Sequence, residues 1–248
     1  MKTYSRVTVG TKNINRIEKL QLIYHRYAPL TSCVATVQDT DGALYKSIQK
    51  EYPIIIEMGY RLGVALKWTG TLREYEMNDG KLRLYCVGVD QVFEREISQV
   101  WMNETPENIV RQLNTYTGFE SGKILQTGIT IPKFVVRTQA LWQAERMLEK
   151  TMESFGLDTA RLAYWIGADS RINWGTHDEP GEVEIVSGEN LVAYSRNKVI
   201  ATLTPNLRES QRVHVIAPGI DAIYRAERVT HEISYVARTY IYLEAIDG

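Results

Sequence analysis

Apolar and polar residues alternate with a period of two at both ends of this chain, which commits those ends to strands with one buried face. RVTVG, NRIEKLQLIYHRY and TSCVATVQ open the series, and Pro53 leads the apolar run PIIIEMGY. VALKWTGTLREYEM and KLRLYCVGV then flank Asn78-Asp79-Gly80. Asp-Gly between two alternating runs predicts a tight hairpin, because a type I′ turn needs positive φ at both central residues. Roughly the first 97 residues read this way. After Gly156 the pattern returns in RLAYWIG and RINWG around an Ala168-Asp169-Ser170 turn. EVEIV, LVAYSRNKVIATLTPN, RVHVI, YRAERVTHEISY and RTYIYLEAI follow.

The middle changes period. In TPENIVRQLNTYTG, Thr105 is placed as N-cap, Pro106 as first helical residue and Gly118 as stop. Ile109, Val110, Leu113 and Tyr116 form one stripe. A longer helix is predicted within TQALWQAERMLEKTMESFG, with Leu141, Trp142, Met147, Leu148, Met152 and Phe155 on its packing face. ALYKSIQK reads as a turn or two of helix, and short β pieces are expected around Ile124 and Ile129–Ile131.

Composition narrows the function classes. Of 248 residues 44% are apolar and 24% charged, which excludes disorder and a disulfide-stapled miniprotein. Lys+Arg is 29 against 30 Asp+Glu, so no basic surface marks a dedicated duplex-DNA binder or a polybasic membrane protein. No run approaches a transmembrane span, and MKTYSRVTVG lacks a signal-peptide core. Cys33 and Cys86 sit in alternating segments and read as buried thiols. A disulfide between them would need neighbouring strands.

No catalytic, cofactor-binding or metal-ligating residue is assigned. His25, His177, His214 and His231 have no metal-site spacing, and each reads as structural or solvated. Serines form no nucleophile elbow, and the glycines are scattered singly. Asp178, Glu179, Glu182 and Glu184 read as a solvated face. Trp68, Trp101, Trp142, Trp165 and Trp174 lie in amphipathic segments and read as core or interface anchors. A chain rich in strands without a catalytic constellation suits an assembly component better than an enzyme.

The last hairpin echoes the one ending near Asp90. At an ungapped offset of 157 residues, Leu72 falls on Val229, Lys81 on Arg238, Leu84 on Ile241, Tyr85 on Tyr242, Val89 on Ile246 and Asp90 on Asp247. Any two amphipathic hairpins share part of such a match.

With that echo, the order of elements resembles the baseplate hub proteins of contractile-tailed bacteriophages. These are the late control protein D group, related to the N-terminal part of type VI secretion spike proteins. RIEKLQLIYHRYAPLTSCVATVQDTDG resembles the opening of the family's first barrel, and EYPIIIEMGYRLGVALKWTGTLREYEMNDGKLRLYCVGVDQVFER the passage that follows. TPENIVRQLNTYTG matches its small helix. TQALWQAERMLEKTMESFGLDTARLAYWIGADSRINWG resembles its helix and hairpin, and LRESQRVHVIAPGIDAIYRAERVTHEISYVARTYIYLEA its closing barrel. The chain departs from the family at Arg208-Glu209-Ser210, where Pro-Gly or Asp is usual, and it is short for a hub.

The resemblance implies a mainly β fold with a small α+β centre: two similar tube-type β-barrels joined by a helix-containing insert. The expected boundaries are 1–100, 101–185 and 186–248, the last able to take in strands from the first. It further implies a non-enzymatic homotrimer in the virion tail or baseplate, assembled in the bacterial cytoplasm. Six barrels would adapt a six-fold tail tube or distal tail protein on one side to a three-fold spike on the other. Tape-measure protein is a further neighbour, with no specific nucleic-acid binding, no membrane and a lumen wall that is near-neutral to acidic. Two alternatives stand: another tail component such as a distal tail or tube-initiator protein, and a tail-associated cell-wall hydrolase.

Overall fold

A computed structural model describes residues 3–14, 16–26, 30–60, 65–159, 162–166, 170–176 and 182–245. Its strands in chain order are β1 (Thr3–Val9), β2 (Lys12–Ile14), β3 (Ile17–His25), β4 (Ser32–Gln38), β5 (Pro53–Tyr60), β6 (Ala65–Asn78), β7 (Lys81–Gly88), β8 (Glu96–Glu104), β9 (Ser121–Ile124) and β10 (Ile131–Ala140). They continue as β11 (Leu162–Ile166), β12 (Ile172–Thr176), β13 (Val183–Val186), β14 (Leu191–Ser195), β15 (Lys198–Thr202), β16 (Arg212–Ala217), β17 (Ile220–Ile233) and β18 (Ala237–Ala245). Two helices, α1 (Pro106–Thr115) and α2 (Leu141–Ser154), lie between β8 and β11. No helix among the described residues is long and apolar enough to cross a membrane.

The chain divides into two compact units, residues 1–26, 30–89 and 181–248 in one and 27–29 and 90–180 in the other. The first unit is a single 13-stranded sheet. Among the described residues the sheet is open, its main path running from β14 to β2, and no strand pairing closes either of the two barrels expected from the resemblance. What the sheet contains instead is a duplication. One half has the order β3-β4-β7-β6-β5-β1, the other β14-β15-β18-β17-β16-β13. Position for position, each strand of one half has a counterpart in the other.

The registers match in detail. In β6–β7 the pairing slips between Leu72 and Glu74, opposite Cys86 and Tyr85. In β17–β18 it slips between Ala226 and Arg228, opposite Leu243 and Tyr242. A second bulge lies between Ile17 and Lys19 of β3, and its counterpart between Leu191 and Ala193 of β14. A bulge re-aims a strand and leaves a residue unpaired, so two coinciding bulges are hard to obtain from generic alternation.

Burial follows the same correspondence. Ala35, Val37, Ile54 and Ile56 of the first half are fully buried, as are their counterparts Val199, Ala201, Val213 and Val215. All of them belong to one apolar cluster. The halves differ at the last position, where β1 runs antiparallel to β5 but β13 parallel to β16.

The offset of 157 residues holds on the second strand of the hairpin, Lys81 to Arg238. On the first strand it is corrected to 154, so that Leu72 corresponds to Ala226 and not to Val229. The difference is the turn. Asp79-Gly80 closes the first hairpin with φ of 47° and 69°, whereas Ser234, Tyr235 and Val236 lie between the paired Ile233 and Ala237 of the second. Ile246, Asp247 and the expected Ala168-Asp169 turn lie outside the described residues.

The second unit packs α1 and α2 with two small sheets, β8–β10 and β11–β12–β9. Thr105 caps α1 by accepting from the Asn108 N–H, with Pro106 leading the helix, and Gly118 follows at φ +80°. Ile109, Val110 and Leu113 are fully buried. In α2 the buried stripe is Leu141, Ala144, Leu148 and Met152. Met147, at the margin of that stripe, and Phe155, the C-cap residue beyond the last helical turn, were both expected on it and are 38% and 47% exposed. Residues Thr138–Ala140, expected at the start of this helix, finish β10.

Buried polar groups in this unit find partners. Trp174 Nε1–H donates to Glu145 at 2.9 Å, Tyr164 O–H to Asn114 at 2.7 Å and Thr127 O–H to Glu107 at 2.9 Å. A buried polar group left without a partner costs about 1–3 kcal/mol, so these bonds keep the helices seated.

Candidate assembly interface

The two halves of the large sheet meet where β17 runs antiparallel to β3, Arg228 opposite His25 through Ile233 opposite Leu20. Along this edge β17 first carries β16, over Ile220–Arg225, and then β3, with its bulge between the two stretches. The seam is polar on one face. Gln21 Nε2–H donates to Glu232 at 2.5 Å, Lys19 stands 3.5 Å from the same carboxylate, and buried Arg26 pairs with Glu244 of β18 at 2.6 Å.

The other face is built around His231, which is fully buried. Its Nε2–H donates to the Leu207 carbonyl at 2.9 Å, and Nδ1 accepts from the Thr239 hydroxyl at 3.0 Å. Thr239 in turn accepts from the Thr204 N–H. The Tyr24 ring meets the imidazole edge-on at 5.9 Å, and the Arg208 guanidinium lies 4.3 Å over that ring. Burial pushes the imidazole pKa down to about 4, so the ring is neutral near pH 7. In the first half the corresponding pair is apolar, Met77 opposite Leu82.

Transposing the seam by the repeat correspondence marks two edges. The counterpart of the β17 stretch that carries β3 is Glu74–Asn78 of β6, beyond the reach of β5. Among the described residues no strand pairs with the outer edge of that stretch. The counterpart of β3 is β14, which ends the sheet path and, among the described residues, carries no strand on its outer side. Leu20 of β3 is fully buried, while its counterpart Tyr194 is 42% exposed, its hydroxyl donating to Pro218 O at 3.0 Å. Val192, at the β14 bulge, is 46% exposed.

The remaining residues singled out from sequence fall as follows. Cys33 and Cys86 are directly opposite on β4 and β7, both buried and reduced. Burial raises the thiol pKa of both, Cys86 to about 12. His214 points away from the core and bridges Asp221, 2.6 Å, and Glu182, 3.2 Å. The hydrogen bond to Asp221 raises its pKa. Half-buried His25 is shifted down by desolvation. Trp68, Trp101 and Trp174 are core residues, whereas Trp142 and Trp165 are half-buried. His177, Asp178 and Glu179 lie outside the described residues. No group of three His, Cys, Asp or Glu among the described residues could hold a metal ion.

This architecture, a duplicated open sheet with a helix-bearing insert between its halves, is the fold of phage tail proteins and of type VI secretion spike-related proteins. Over 98% of the chain it is similar to the 43 kDa tail protein of prophage MuSo2 from Shewanella oneidensis, with a TM-score of 0.70, 10% identity and 97% of that chain covered. A tail protein from Neisseria meningitidis MC58 matches over 99% of the chain and 97% of its own, with a TM-score of 0.68 and 13% identity. The Escherichia coli c3393 protein is a type VI secretion component that exhibits structural similarity to T4 tail proteins gp27 and gp5. It matches all of this chain and 77% of its own, with a TM-score of 0.62 and 8% identity. No family model and no curated protein matches the sequence.

Proposed function

We propose that this protein is a structural component of a phage-type tail, a baseplate hub whose three copies form a ring adapting a six-fold tube to a three-fold spike. The observation that carries the reading is the pair of edges left open by the duplication. Within one chain β3 of one half joins β17 of the other; β14 and the far stretch of β6 are the same two edges, unused. Three chains joined head to tail, β14 of each on β6 of the next, would repeat one contact type six times around a ring. Such a contact is heterologous and closes by rotation. It would cover Tyr194, and it would remove edges that otherwise template aggregation. Obligate interfaces of this kind bury about 2,000 Å² or more.

In this reading the partners are a tail tube or distal tail protein on one side and a spike protein on the other, with tape-measure protein passing through the channel. The role is mechanical, with no enzymatic step, and the site of action is the virion tail, assembled in the host cytoplasm. The sheet face opposite the core supplies the wall; it carries both Arg6, Lys67 and Arg83 and Glu57, Glu74 and Glu76, a near-neutral mixture that would not hold nucleic acid strongly.

Transposing the register would set Ser195 of one copy opposite Asn78 of the next, as Gln21 stands opposite Glu232. The test is the double variant N78C/S195C, oxidised and run without reductant. A covalent trimer supports the proposal. A monomer in a preparation that is trimeric by mass rejects this edge, and a chain that is never trimeric, alone or with its tail neighbours, rejects the hub. A six-copy ring would favour a distal tail or tube-initiator protein.

A further inference from the structure

The two cysteines of this chain take no part in the ring account, yet they meet. Cys33 of β4 stands directly opposite Cys86 of β7. The sequence holds no other cysteine, and a sheet residue has at most two direct cross-strand partners, so such a pairing is uncommon by chance. Packing alone does not ask for it. Both side chains belong to the apolar cluster, in one row with Leu22 of β3 and Leu72 of β6, which are fully buried. In the other half Leu243 takes the place of Cys86 and is buried as well.

The strand geometry suits a covalent bond. Gly88 N–H donates to the Thr31 carbonyl at 2.9 Å and Asp39 N–H to the Gly80 carbonyl at 2.8 Å, one at each end of the β4–β7 ladder. Between them the register runs from Ser32 opposite Val87 to Gln38 opposite Lys81 without a slip. Bonded and non-bonded pairs alternate along an antiparallel ladder. Cys33–Cys86, two places from Thr31–Gly88, is therefore a bonded pair, with Cα atoms about 5.5 Å apart. Disulfides span Cα separations of about 4.4–6.8 Å. Directly opposed side chains also leave the sheet on the same face, here the core face. The Cβ atoms of a bonded pair lie at the wide end of what a disulfide tolerates. The register break between Leu72 and Glu74, beside Cys86, gives the ladder slack to close on them.

We propose that Cys33 and Cys86 form a cross-strand disulfide when the chain folds in the presence of a small-molecule disulfide such as oxidised glutathione. One cysteine thiolate attacks the glutathione S–S bond. A mixed disulfide forms, and one glutathione thiolate leaves and takes up a proton. The second cysteine, as thiolate, attacks the protein sulfur of the mixed disulfide and expels the second glutathione. Two protein S–H bonds and the glutathione S–S bond are lost, one protein S–S bond and two glutathione S–H bonds are made, and two electrons pass to glutathione. Burial raises the pKa of both thiols, so exchange proceeds while β4 and β7 are apart and stops once they close. A reducing cytoplasm leaves the pair as thiols, and an oxidising compartment makes the bond. The inference rests on the register of β4 and β7 and not on the hub reading.

The test uses the full chain, reduced, unfolded in urea and diluted into oxidised glutathione, then denatured again with iodoacetamide and weighed. The expected product is an unlabelled monomer two hydrogens lighter than the reduced chain. It should yield a Cys33–Cys86 cross-linked peptide on digestion and show the tryptophan fluorescence of the reduced fold. Its urea midpoint should lie above that of the reduced chain, because the bond closes a long loop in the unfolded state. C33A and C86A should each give a glutathione adduct or a labelled thiol, never the two-hydrogen loss. A chain that does not recover its fluorescence on dilution is instead exported to the bacterial periplasm, trapped with iodoacetamide and read in the same way. Two labelled thiols or a glutathione adduct in the natively fluorescent wild-type chain overturns the assignment. So do chains linked to one another, or a midpoint no higher than that of the reduced chain.

Discussion

Gln21 and Glu232, 211 residues apart, share a 2.5 Å hydrogen bond across the strand pair that joins the two halves of the sheet. The same carboxylate stands 3.5 Å from Lys19 and is mostly shielded from solvent. Replacing Glu232 by Lys would set two cations side by side and strand the Gln21 amide. Destabilisation of about 1–2 kcal/mol is expected, read as a lower midpoint in urea unfolding. An unchanged midpoint would mean that the seam is held by its backbone ladder alone.

His231 makes the first unit sensitive to acid. Its pKa is lowered from an ordinary value near 6.5 to about 4 by burial, so the unfolded chain takes up its proton first. The neutral ring's contribution is complete above about pH 6.5 and is lost as pH falls towards 4, amounting to about 3 kcal/mol at most. Urea midpoints measured between pH 7 and pH 4 should show this slope. The double variant H231M/T239L, which copies the Met77–Leu82 pair of the other half, should lose that part of the slope whatever its absolute stability. Persistence of the full slope would place the acid sensitivity elsewhere.

Gly70 stands opposite Gly88, and a Cβ built on it would lie 2.2 Å from the Val87 carbonyl oxygen and 2.5 Å from the Trp68 ring. Backbone cannot yield as a flexible side chain can. Gly70→Ala should therefore cost about 2–4 kcal/mol, visible as a fall in thermal midpoint, with Trp68 fluorescence reporting its displacement. The second half carries Tyr224 opposite Ala245 at the corresponding place, so its two strands accept side chains there.

Cys33 and Cys86 face each other on adjacent strands with their thiols buried and their pKa values raised. The thiolate is the reactive form, so alkylation at pH 8 should be negligible in the folded chain and complete in urea. Mass spectrometry of the iodoacetamide-treated protein gives the count directly. Rapid labelling under native conditions would contradict the packing of β4 on β7.

What could be read from sequence was whatever is encoded locally. Asp79-Gly80 announced its hairpin because only a turn with two positive φ values closes those strands, and Thr105-Pro106 announced α1 because capping is a matter of a few neighbouring residues. The repeat was visible on the strand after the turn. On the strand before it the register was lost, because Ser234, Tyr235 and Val236 lengthen one turn and a fixed offset cannot follow. LVAYSRNKVIATLTPN reads as one alternating run, yet Arg196-Asn197 folds it into β14 and β15.

The β8–β10 ribbon went unseen because exposed Val100 and Met102 beside buried Trp101 blur the alternation in EISQVWMNE, and a bulge between Val136 and Gln139 interrupts it in IPKFVVRTQA. The candidate interface was legible only in outline. A β-rich chain with an internal echo suggested assembly, but which edges stay open is set by pairings over some two hundred residues, β3 with β17 above all. Likewise nothing local to Tyr194 distinguishes it from a core tyrosine; its exposure is informative only beside Leu20.

Cryo-electron microscopy of the ring formed by this chain, alone or with its tail neighbours, bears most directly on the whole account. Three copies should appear, their six half-sheets spaced evenly about one channel and each β14 lying against β6 of the adjoining copy. Six copies to a ring, or halves that share no channel, would contradict it.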